Sequence, residues 1–412
     1  MSGFFTKKET ESDSRPDGKT YSCASCGLYK DAECPKMKPF GNFKKGILNI
    51  GEAPGEVEDE RGKQWQGKTG RLLKKTYRDL GIDLFEDCLN INAVNCRPME
   101  KRDNRAPSNY EIDCCRKSIL KLIKEKKPKI IILLGNAALY SIIGRRWKLK
   151  LGGITKWRGW IIPDQDYKTW ICPTFHPSYV ERSEKEVLTV WKQDLSRAFA
   201  SRPVTNYFPD HVEPEIKILA SSELCLLERR NLKADSVSID YETTGIKPQG
   251  KGHRIVCAAL SPDGVVSYAF MMPNTPKKRL PFTALLAAPE IKKMAHNMKF
   301  EEAWSVHRLR QRVLGWDWDS MLAAHLLDNR PGVCSLKFQT YVHFGIVDYA
   351  SDVSPWLASV EKGGNSLNKI FEFVSTTEGK NQLLKYCALD TIYQYRLSMV
   401  QKGIIEHDDL PF

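Results

Sequence analysis

Carboxylates in the second half of the chain have the spacing of a site for divalent cations. Asp240 and Glu242 are two residues apart in an apolar run, so a β-strand would carry both side chains on one face. Tyr386 and Asp390 are four residues apart and would share one face of a helix. Carboxylates held close together repel each other, and two hard divalent ions bound by oxygen relieve that repulsion. Each pair by itself is also compatible with a solvated strand or helix surface.

A glycine-rich stretch in the first half, Gly51–Gly70, suits a flat polar ligand. It follows the apolar run Ile47–Ile50, which predicts a buried strand leading into a tight loop. Gly51 and Gly55 allow close approach of the backbone because they have no Cβ atom. The stretch also carries several carboxylates and the aromatic ring of Trp65. These groups favour binding of a nucleobase over binding of a nucleoside triphosphate.

Cysteines provide a third candidate site. Cys23 and Cys26 form a C-x2-C pair, and Cys96 and Cys115 follow at wide spacing. Four thiolates can hold zinc or an iron–sulfur cluster, and spacing alone does not choose between them. The same residues are equally compatible with ordinary buried cysteines. The choice between Cys114 and Cys115 also stays open on the residues alone.

The surrounding pattern predicts an α/β protein with two domains. In the first half strands and helices alternate, which indicates a parallel sheet covered on both sides, with functional loops at the carboxyl ends of the strands. The predicted strands there are Ile47–Ile50, Asn90–Pro98, Lys129–Gly135, Ile161–Ile162 and Trp170–Cys172, and the predicted helices are Cys114 to about Glu125, Asn136–Ile143 and Glu184–Ala200. In the second half strands precede helices, as is typical of an α/β nuclease-like layer. Its predicted strands are Ser236–Asp240, Ile255–Leu260 and Val265–Phe270, and its predicted helices are Asp319–Leu327, Leu367–Val374 and Gln382–Met399.

The net charge of +13 comes from the first half alone. Residues 1–205 contain 39 Lys+Arg and 26 Asp+Glu, whereas residues 206–412 contain 24 of each. This imbalance favours binding of a polyanion by the first half, and a surface tuned for solubility is the alternative. No apolar run is long enough to span a bilayer, and the polar first twenty residues do not form a secretory signal. We therefore expect a cytoplasmic protein with reduced cysteines.

The motifs of the first half resemble those of family 4 uracil-DNA glycosylases. In order along the chain they are Cys23-x2-Cys26, GEAPGEVED, NAVNCRP, the Arg-x-Pro step at Arg105–Pro107, Cys115, KIIILLG and PTFHPS. The resemblance covers about residues 20–200 and implies a uracil-DNA glycosylase-like α/β/α domain that flips uracil out of the DNA stack and cleaves its N-glycosidic bond. It also implies a [4Fe-4S] cluster. The implied ligands are Cys23, Cys26, Cys96 and Cys115, the last preferred to Cys114 because the helix pattern after it aligns with the family.

The same resemblance implies roles for individual side chains. Asn92 reads the edge of uracil, Trp65 takes the stacking position where the family usually has Phe, and His176 donates to the uracil oxygen on which negative charge grows. Glu58 is the candidate for positioning the attacking water. The residues expected to line the pocket or to bind phosphates are Glu52, Ala53, Ser178 and Arg182.

The second half resembles the 3′–5′ exonuclease domain of family A DNA polymerases. Its three motifs are D-x-E-T-T-G at Asp240, N-x-K-F-D/E at Asn297 and Y-x3-D at Tyr386. The resemblance covers about residues 217–400 and implies a ribonuclease H-like (DnaQ-like) fold that hydrolyses DNA 3′ ends with two Mg²⁺ or Mn²⁺ ions. It implies that Tyr386 orients the attacking water and that Asn297 and Lys299 bind the substrate. The implied metal ligands are Asp240, Glu242, Glu301 and Asp390, with Glu301 one methylene longer than the usual Asp.

We therefore predict a bifunctional hydrolase that acts in DNA repair and replication on uracil-containing DNA and on 3′ ends. The predicted parts are a disordered tail over residues 1–19, a glycosylase-like domain with its cluster over 20–202, a linker over 203–216 and a 3′–5′ exonuclease domain over 217–412. Such a fusion resembles bacteriophage replication proteins. Because no polymerising domain follows before Phe412, we expect either a fragment or a separate subunit that serves a DNA polymerase by proofreading. The alternative is a non-catalytic uracil-sensing or DNA-binding accessory subunit of a phage DNA polymerase.

Overall fold

The computed structural model describes residues 21–147, 149–200, 211–359 and 366–406, and the chain divides into two compact units, Met1–Pro209 and Asp210–Phe412. The predicted tail and most of the predicted linker lie outside the described residues, so the proposed boundaries stay a prediction. Each unit is an α/β domain built on its own sheet, as expected. None of the helices in the described ranges is long and apolar enough to cross a membrane.

A central sheet organises the first unit. Its strands are β1 Ile47–Gly51, β2 Cys88–Asn92, β5 Ile130–Leu134, β6 Ile162–Asp164 and β7 Thr169–Thr174, and a separate hairpin is formed by β3 Met99–Glu100 and β4 Asp103–Asn104. The strand order is β2-β1-β5-β7-β6, parallel except for β6 at one edge. β5 is apolar throughout and buried at every residue, which is the pattern of a parallel strand covered on both faces. The predicted parallel sheet is confirmed.

Helices cover this sheet. They are α1 Cys23–Cys26, α2 Glu56–Arg61, α3 Lys68–Asp79, α4 Asn109–Lys126, α5 Asn136–Leu139, α6 Ile154–Trp157, α7 Pro177–Arg182 and α8 Lys185–Ala200.

Three sequence-based boundaries in this unit were wrong. The glycine-rich stretch is not one loop, because its acidic residues form α2, with carboxylates in the first turn at the positive end of the helix dipole. The strand predicted over Asn90–Pro98 ends at Asn92 and gives way to a turn. The helix predicted from Cys114 begins at Asn109, because the side chains of Ser108 and Glu111 form a capping box at its start.

A mixed sheet organises the second unit. Its strands are β8 Glu215–Ile218, β9 Ser236–Thr243, β10 Ile255–Ser261, β11 Val266–Met271, β12 Lys292–Ala295 and β13 Trp316–Asp319. The order is β13-β12-β9-β10-β11-β8. β10 runs antiparallel to β9 and β11, whereas β12 and β13 continue parallel to β9 on its other side. Three antiparallel strands followed by two that cross over beside the first give the ribonuclease H-like topology, so the predicted fold class is confirmed.

A long carboxy-terminal helix covers one face of this sheet. The helices of the second unit are α9 Arg229–Leu232, α10 Pro276–Ala287, α11 Met298–Trp304, α12 Ser320–Leu327, α13 Leu336–Phe344, α14 Ser354–Leu357, α15 Ile370–Phe373 and α16 Thr377–Glu406. Leu383 and Leu384 of α16 pack with Val256 and Ala259 of β10 in one hydrophobic core. α16 extends beyond the predicted Gln382–Met399, and the helix predicted over Leu367–Val374 is limited to α15.

Candidate active sites

Three predicted pocket residues of the first unit come together where parallel strands end. β1 and β2 pair so that Gly51 lies opposite Asn92, and His176 follows two residues after the end of β7. A Cβ atom on Gly51 would lie 2.4 Å from Oδ1 of Asn92 and 3.0 Å from the ring of Trp65, so glycine is needed for this approach. The carboxyl ends of parallel strands are where ligands usually bind in open α/β sheets. The structure therefore places the predicted base-binding side chains at the expected edge.

A buried amide holds the ring of Trp65. The indole Nε1–H donates to Oδ1 of Asn90 at 3.1 Å, and Nδ2 of Asn49 donates to the same oxygen at 3.0 Å. Trp65 has a left-handed backbone conformation with φ +62°, which is uncommon for a bulky residue. Its ring centroid lies 5.9 Å from that of His176. The indole is therefore fixed beside the histidine by its own hydrogen bond and by the surrounding backbone.

Asn92 is buried with an unused carboxamide. The residue is 4% exposed, and its backbone N–H donates to Oδ1 of Asn95 at 3.3 Å. Its side chain has no hydrogen-bond partner within the described part of the chain. Its carboxamide is therefore available to a ligand that presents one donor and one acceptor.

His176 is arranged as a neutral hydrogen-bond donor. It caps the amino end of α7, where its Nδ1 accepts a hydrogen bond from the backbone N–H of Ser178 at 3.2 Å. Because Nδ1 is the acceptor, the neutral imidazole carries its proton on Nε2. Burial, with a smaller effect of the nearby positive charge of Arg182, lowers the pKa of His176 to about 4. The ring is therefore neutral at physiological pH and can donate from Nε2.

Glu58 contacts the loop that carries Trp65. Its Oε1 accepts hydrogen bonds from the backbone N–H groups of Gln66 at 3.0 Å and Gly67 at 2.9 Å. The carboxylate therefore helps to fix the backbone beside the indole. The predicted role of Glu58 in positioning water stays a prediction.

The remaining pocket and phosphate candidates lie around α7 and the end of β1. Burial raises the pKa of Glu52, and the positive charge of Arg182 opposes that shift. Arg182 is exposed, and its Nε donates to the backbone oxygen of Ser178 at 2.9 Å. The predicted roles of Glu52, Ala53, Ser178 and Arg182 stay predictions.

The four predicted cluster ligands converge from three segments. Cys23 and Cys26 lie on α1, Cys96 lies in the turn after β2, and Cys115 lies on α4. Burial raises the pKa of the Cys115 thiol to about 12, and the neighbouring thiols of Cys26, Cys96 and Cys23 add to that shift. Burial likewise raises the pKa of Cys26 to about 11. Cys26 and Cys115 are therefore neutral thiols at physiological pH.

Spacing of the sulfur atoms is wider than a single zinc ion needs. In the described ranges, no three cysteine sulfur atoms lie within 4.8 Å of one another. Four thiolates around a tetrahedral zinc would lie about 3.8 Å apart, given Zn–S bonds of about 2.3 Å. The neighbouring Cys114 is buried, and its Sγ lies 3.8 Å from Oγ of Ser25. Four thiols are a donor set that either zinc or an iron–sulfur cluster can use.

The second unit brings together two carboxylates and a thiol. Ligand atoms of Asp240 and Glu242 on β9 and of Cys387 on α16 all lie within 4.8 Å of one another. The Sγ–H of Cys387 donates to Oδ2 of Asp240 at 3.5 Å. Burial and the negative charge of Asp390 raise the pKa of Asp240 to about 7, and burial and the charge of Asp240 raise that of Glu242. These carboxylates oppose each other's ionisation.

A lysine offsets part of this repulsion. Asp390 accepts a hydrogen bond from the hydroxyl of Tyr349 at 2.7 Å and forms an ion pair with Lys337. Nζ of Lys337 also lies 4.2 Å from the ring centroid of Tyr386 and 4.4 Å from that of Tyr349. The ammonium charge opposes the upward pKa shift of Asp240. One cation is therefore already supplied by the chain.

Glu301 adds a buried carboxylate with an unpaired oxygen. The residue lies on α11 and is 2% exposed, and its Oε2 has no hydrogen-bond partner in the part of the chain that the structure describes. Burial, together with the negative charge of Asp240, raises its pKa well above the usual value. An unsatisfied buried carboxylate oxygen is costly, and a bound cation would satisfy it.

The predicted substrate-binding residues lie beside this site. Asn297 caps α11 with φ +82°, and its backbone N–H donates to Oδ1 of Asp319 at 3.1 Å. Lys299 is exposed on the same helix. A cavity of about 220 Å³ adjoins Glu242, and its lining includes Thr243, Ile246, Phe300, Leu357 and Asn368. The substrate-binding roles of Asn297 and Lys299 stay predictions.

Sequence reasoning missed three residues at the carboxylate site. Cys387 directly follows Tyr386 of the third motif. Lys337 directly follows Ser335-Leu336, a pair that also fits the pattern of the family A exonuclease domain. Both could have been examined for this reason. Tyr349 lies in a segment without a motif, and only the folded chain brings its hydroxyl to Asp390.

Comparison with known proteins assigns the first unit. Residues 38–198 match the uracil DNA glycosylase superfamily. The chain is 34% identical over 190 residues to the type-4 uracil-DNA glycosylase of Saccharolobus solfataricus, a match that covers 44% of this chain and 84% of that relative.

A longer match reaches into the second unit. A DNA polymerase of Bacillus phage SP01 is 26% identical over 326 residues, which is 71% of this chain and 34% of that polymerase. Among solved structures, Brucella melitensis NrnC aligns with a TM-score of 0.36 and 21% identity, covering 48% of this chain and 85% of that chain.

Proposed function

The chain belongs to the type-4 uracil-DNA glycosylases through its first unit, and we propose that this unit excises uracil from DNA while the second unit removes nucleotides from DNA 3′ ends. The convergence of Asn92, Trp65 and His176 at the ends of parallel strands is the observation that carries the first activity. The carboxylate group at Asp240 and Glu242 carries the second.

Base recognition in the first unit rests on Asn92 and Trp65. The unused carboxamide of Asn92 offers a donor and an acceptor, which match the N3–H and an exocyclic oxygen on the edge of uracil. The fixed indole of Trp65 provides a flat apolar face against which a base flipped out of the duplex stacks. Uracil held in this way has its glycosidic bond exposed to a water molecule.

His176 supplies the electrostatic part of the mechanism. As the bond between C1′ of the sugar and N1 of the base breaks, its electron pair passes to the base and negative charge grows on O2. The Nε2–H of His176 donates to that oxygen without giving up its proton. The ring orientation is set beforehand by the Ser178 backbone, so little reorganisation is needed during the reaction. Water then adds to C1′ and loses one proton, the uracil anion gains one, and Glu58 is our candidate for orienting that water.

We propose that Cys23, Cys26, Cys96 and Cys115 hold a [4Fe-4S] cluster. The four-thiol donor set and the resemblance to family 4 uracil-DNA glycosylases support this assignment. A cluster would connect α1, the turn after β2 and α4, and would thereby stabilise the segment that follows Asn92. Visible absorption of the purified protein tests the assignment, since zinc does not absorb there. Cys115→Ser is expected to lose the absorption and Cys114→Ser to retain it.

The carboxylates of the second unit would hold two Mg²⁺ or Mn²⁺ ions. Asp240, Glu242, Glu301 and Asp390 are the proposed ligands, and the unpaired Oε2 of Glu301 supports this set. When bound, such ions lower the pKa of an attacking water and stabilise charge on a phosphodiester. Tyr386 would orient that water through its hydroxyl. The cavity beside Glu242 would receive the terminal nucleotide, and Asn297 and Lys299 would contact the DNA.

The similarity to a phage DNA polymerase supports a place for the second unit in replication. The match extends over 71% of this chain, which is more than the first unit alone can account for. We propose that the second unit removes misincorporated 3′ nucleotides for a DNA polymerase.

A two-substrate assay on the full chain tests both activities. A single-stranded oligonucleotide with one internal uracil and a phosphorothioate 3′ end reports excision as alkali-sensitive strand cleavage. A uracil-free oligonucleotide with an ordinary 3′ end and added Mg²⁺ reports nuclease activity as stepwise shortening. Cleavage of neither substrate by cluster-loaded protein would favour a non-catalytic DNA-binding role.

A further inference from the structure

The hairpin of β3 and β4 presents two cations on an unusual turn. Glu100 and Asp103 are paired across the hairpin, so Lys101 and Arg102 form a two-residue turn. Both have positive φ, +50° for Lys101 and +73° for Arg102, which identifies a type I′ turn. Both side chains are exposed.

Turn geometry does not explain these two residue types. Type I′ turns are typically built from Asn-Gly, because positive φ is costly for residues with long side chains. An Asn-Gly pair would close the same hairpin with less strain. Residues kept in sparsely populated backbone regions concentrate at functional sites. The presence of Lys101 and Arg102 is therefore better explained by a function of their side chains than by the geometry of the turn.

The buried side chain of Arg97 forms hydrogen bonds with the residues of this hairpin. Arg97 is 7% exposed, and its Nε donates to Oδ1 of Asn104 at 2.6 Å. Its Nη2 donates to the backbone oxygen of Arg102 at 3.2 Å and approaches Glu56 at 3.5 Å. The turn is thus tied to the start of α2 and has a fixed position.

The hairpin lies next to the loop that borders the pocket. Nδ2 of Asn104 is 3.7 Å from the position of a Cβ atom on Gly55, the residue that caps α2. Gly55 lies in the short loop that follows Gly51, the last residue of β1, and Gly51 is the residue that meets Asn92 and Trp65. The hairpin therefore stands at the edge of the sheet where the base is proposed to bind.

We propose that Lys101 and Arg102 contact phosphates of the DNA strand that carries the flipped uracil. This inference rests on the proposed glycosylase function. It adds that these two side chains position the DNA strand at the pocket. Phosphate contacts set the register of a protein on DNA without reading its sequence. Glu100 and Asp103 stand one residue behind the tip on either strand, so the two cations are the charges that project furthest.

The test replaces the turn without weakening it. Lys101→Asn/Arg102→Gly removes both charges and installs the favoured type I′ pair, so thermal stability is expected to stay equal or rise. The matched control is Lys124→Ala/Lys126→Ala, which removes two exposed charges from the carboxyl end of α4, next to the start of β5 and thus at the opposite edge of the sheet. The measurement is kcat/KM for uracil excision, on a 3′-blocked single-stranded oligonucleotide, from 50 to 200 mM salt.

Loss of two phosphate contacts predicts a smaller salt dependence. Each contact contributes about 0.7 to the slope of log affinity against log salt on single strands. Over a fourfold rise in salt, the wild-type value of kcat/KM should therefore fall about sevenfold more than that of the turn variant. kcat at saturating DNA should be unchanged. The α4 control should retain the wild-type slope.

The outcomes separate this proposal from the glycosylase assignment. Equal slopes for wild type and turn variant, with excision intact, would overturn the phosphate contacts alone. If wild-type protein excises no uracil, the glycosylase assignment fails, and the slope of oligonucleotide binding in EDTA, measured by fluorescence anisotropy, still decides the contacts. Lys101→Gln/Arg102→Gln removes the charges with long side chains retained, and the same loss of slope is expected from it even if the Asn-Gly variant folds poorly.

Discussion

The two proposed active sites differ in how far the protein alone, without bound ions, satisfies their polar groups. In the pocket of the first unit, two neutral groups, the indole of Trp65 and the imidazole of His176, already have hydrogen bonds that fix their orientation. The hydrogen bond from the Ser178 backbone N–H fixes the tautomer of His176, and the hydrogen bond to Oδ1 of Asn90 fixes the indole of Trp65. The site of the second unit instead gathers carboxylates that raise one another's pKa, and Glu301 keeps an unpaired buried oxygen.

This difference follows from the charge that each reaction develops. Glycosidic cleavage spreads one negative charge over a base, and a preorganised neutral donor stabilises it. Phosphodiester hydrolysis places more negative charge next to an existing anion, and cations are needed to counter it. The first site should therefore function without divalent ions, whereas the second should depend on them completely.

The largest expected effect is loss of the nuclease without divalent ions. EDTA or Asp240→Asn should lower 3′ shortening by roughly a thousandfold or more, because several kcal/mol of stabilisation by the ions is lost. Uracil excision should change by less than about twofold. The exposed carboxylate Glu378 on α16 offers a matched control, and Glu378→Gln should leave both rates unchanged. Loss of excision in EDTA, with the visible absorption intact, would contradict the contrast between the sites.

His176→Ala should lower uracil excision nearly as strongly as Asp240→Asn lowers nuclease activity. His176→Ala removes the donor to the uracil oxygen, and loss of one such donor typically costs about 10²–10³ in kcat. Nuclease activity should be unaffected. Asn92→Ala should also lower excision, with a larger increase in KM because it removes base recognition. If His176→Ala lowered excision by less than tenfold, His176 would not be the main charge-stabilising group.

A third difference concerns pH. Excision should stay nearly constant from pH 8 to pH 5, because His176, with a pKa of about 4, is neutral throughout that range. The Mg²⁺ concentration needed for half-maximal nuclease activity should rise below pH 7, by up to about tenfold per pH unit, because protons compete for Asp240 with its pKa of about 7. A fall in excision on going from pH 6 to pH 8 would indicate a protonated histidine as the active form.

Much of both sites was predictable because the motifs sit on regular elements. Strand ends in a parallel sheet meet at one edge, so Gly51 and His176, which follow predicted strands, could be expected there. Asn92 was assigned to the pocket only by the family resemblance, because the strand predicted over Asn90–Pro98 continued past it. Asp240 and Glu242 share a face because side chains alternate along β9. These inferences need only the period of the element and its direction.

What could not be predicted depends on contacts between distant segments or on local capping. Tyr349 reaches Asp390 from 41 residues away in sequence, and no pattern in its own segment indicates this contact. The start of α4 was missed although Ser108 and Glu111 carry a recognisable capping signal. The neutral tautomer of His176 depends on the backbone of α7, which the PTFHPS motif alone does not specify.

A smaller effect is expected on the stability of the second unit without metal. The pKa values of Asp240, Glu242 and Glu301 lie above their unfolded values, so the folded state binds more protons and loses stability as pH rises from about 4 through 7. The midpoint of its calorimetric transition in EDTA should fall by roughly 5 °C or more between pH 5 and pH 8. Mg²⁺ should raise the midpoint more at pH 8 than at pH 5. Asp240→Asn should flatten the pH dependence.

The smallest expected effect on activity is that of Trp65→Phe, which keeps an aromatic face but removes the Nε1–H and one ring of the indole. Oδ1 of Asn90 would still accept from Asn49, so the lost hydrogen bond should cost about 1 kcal/mol, or about 2–4 °C in the transition of the first unit, and the smaller buried ring should lower the transition further. Excision should fall by less than tenfold, since the donor on His176 is untouched, and the nuclease should be unaffected. Trp65→Ala is the comparison, because it removes the stacking face as well. If Trp65→Phe lowered excision as far as His176→Ala, orientation of the indole by Asn90 would have to be part of the chemistry, and preorganisation of the first site would extend into its buried amide network.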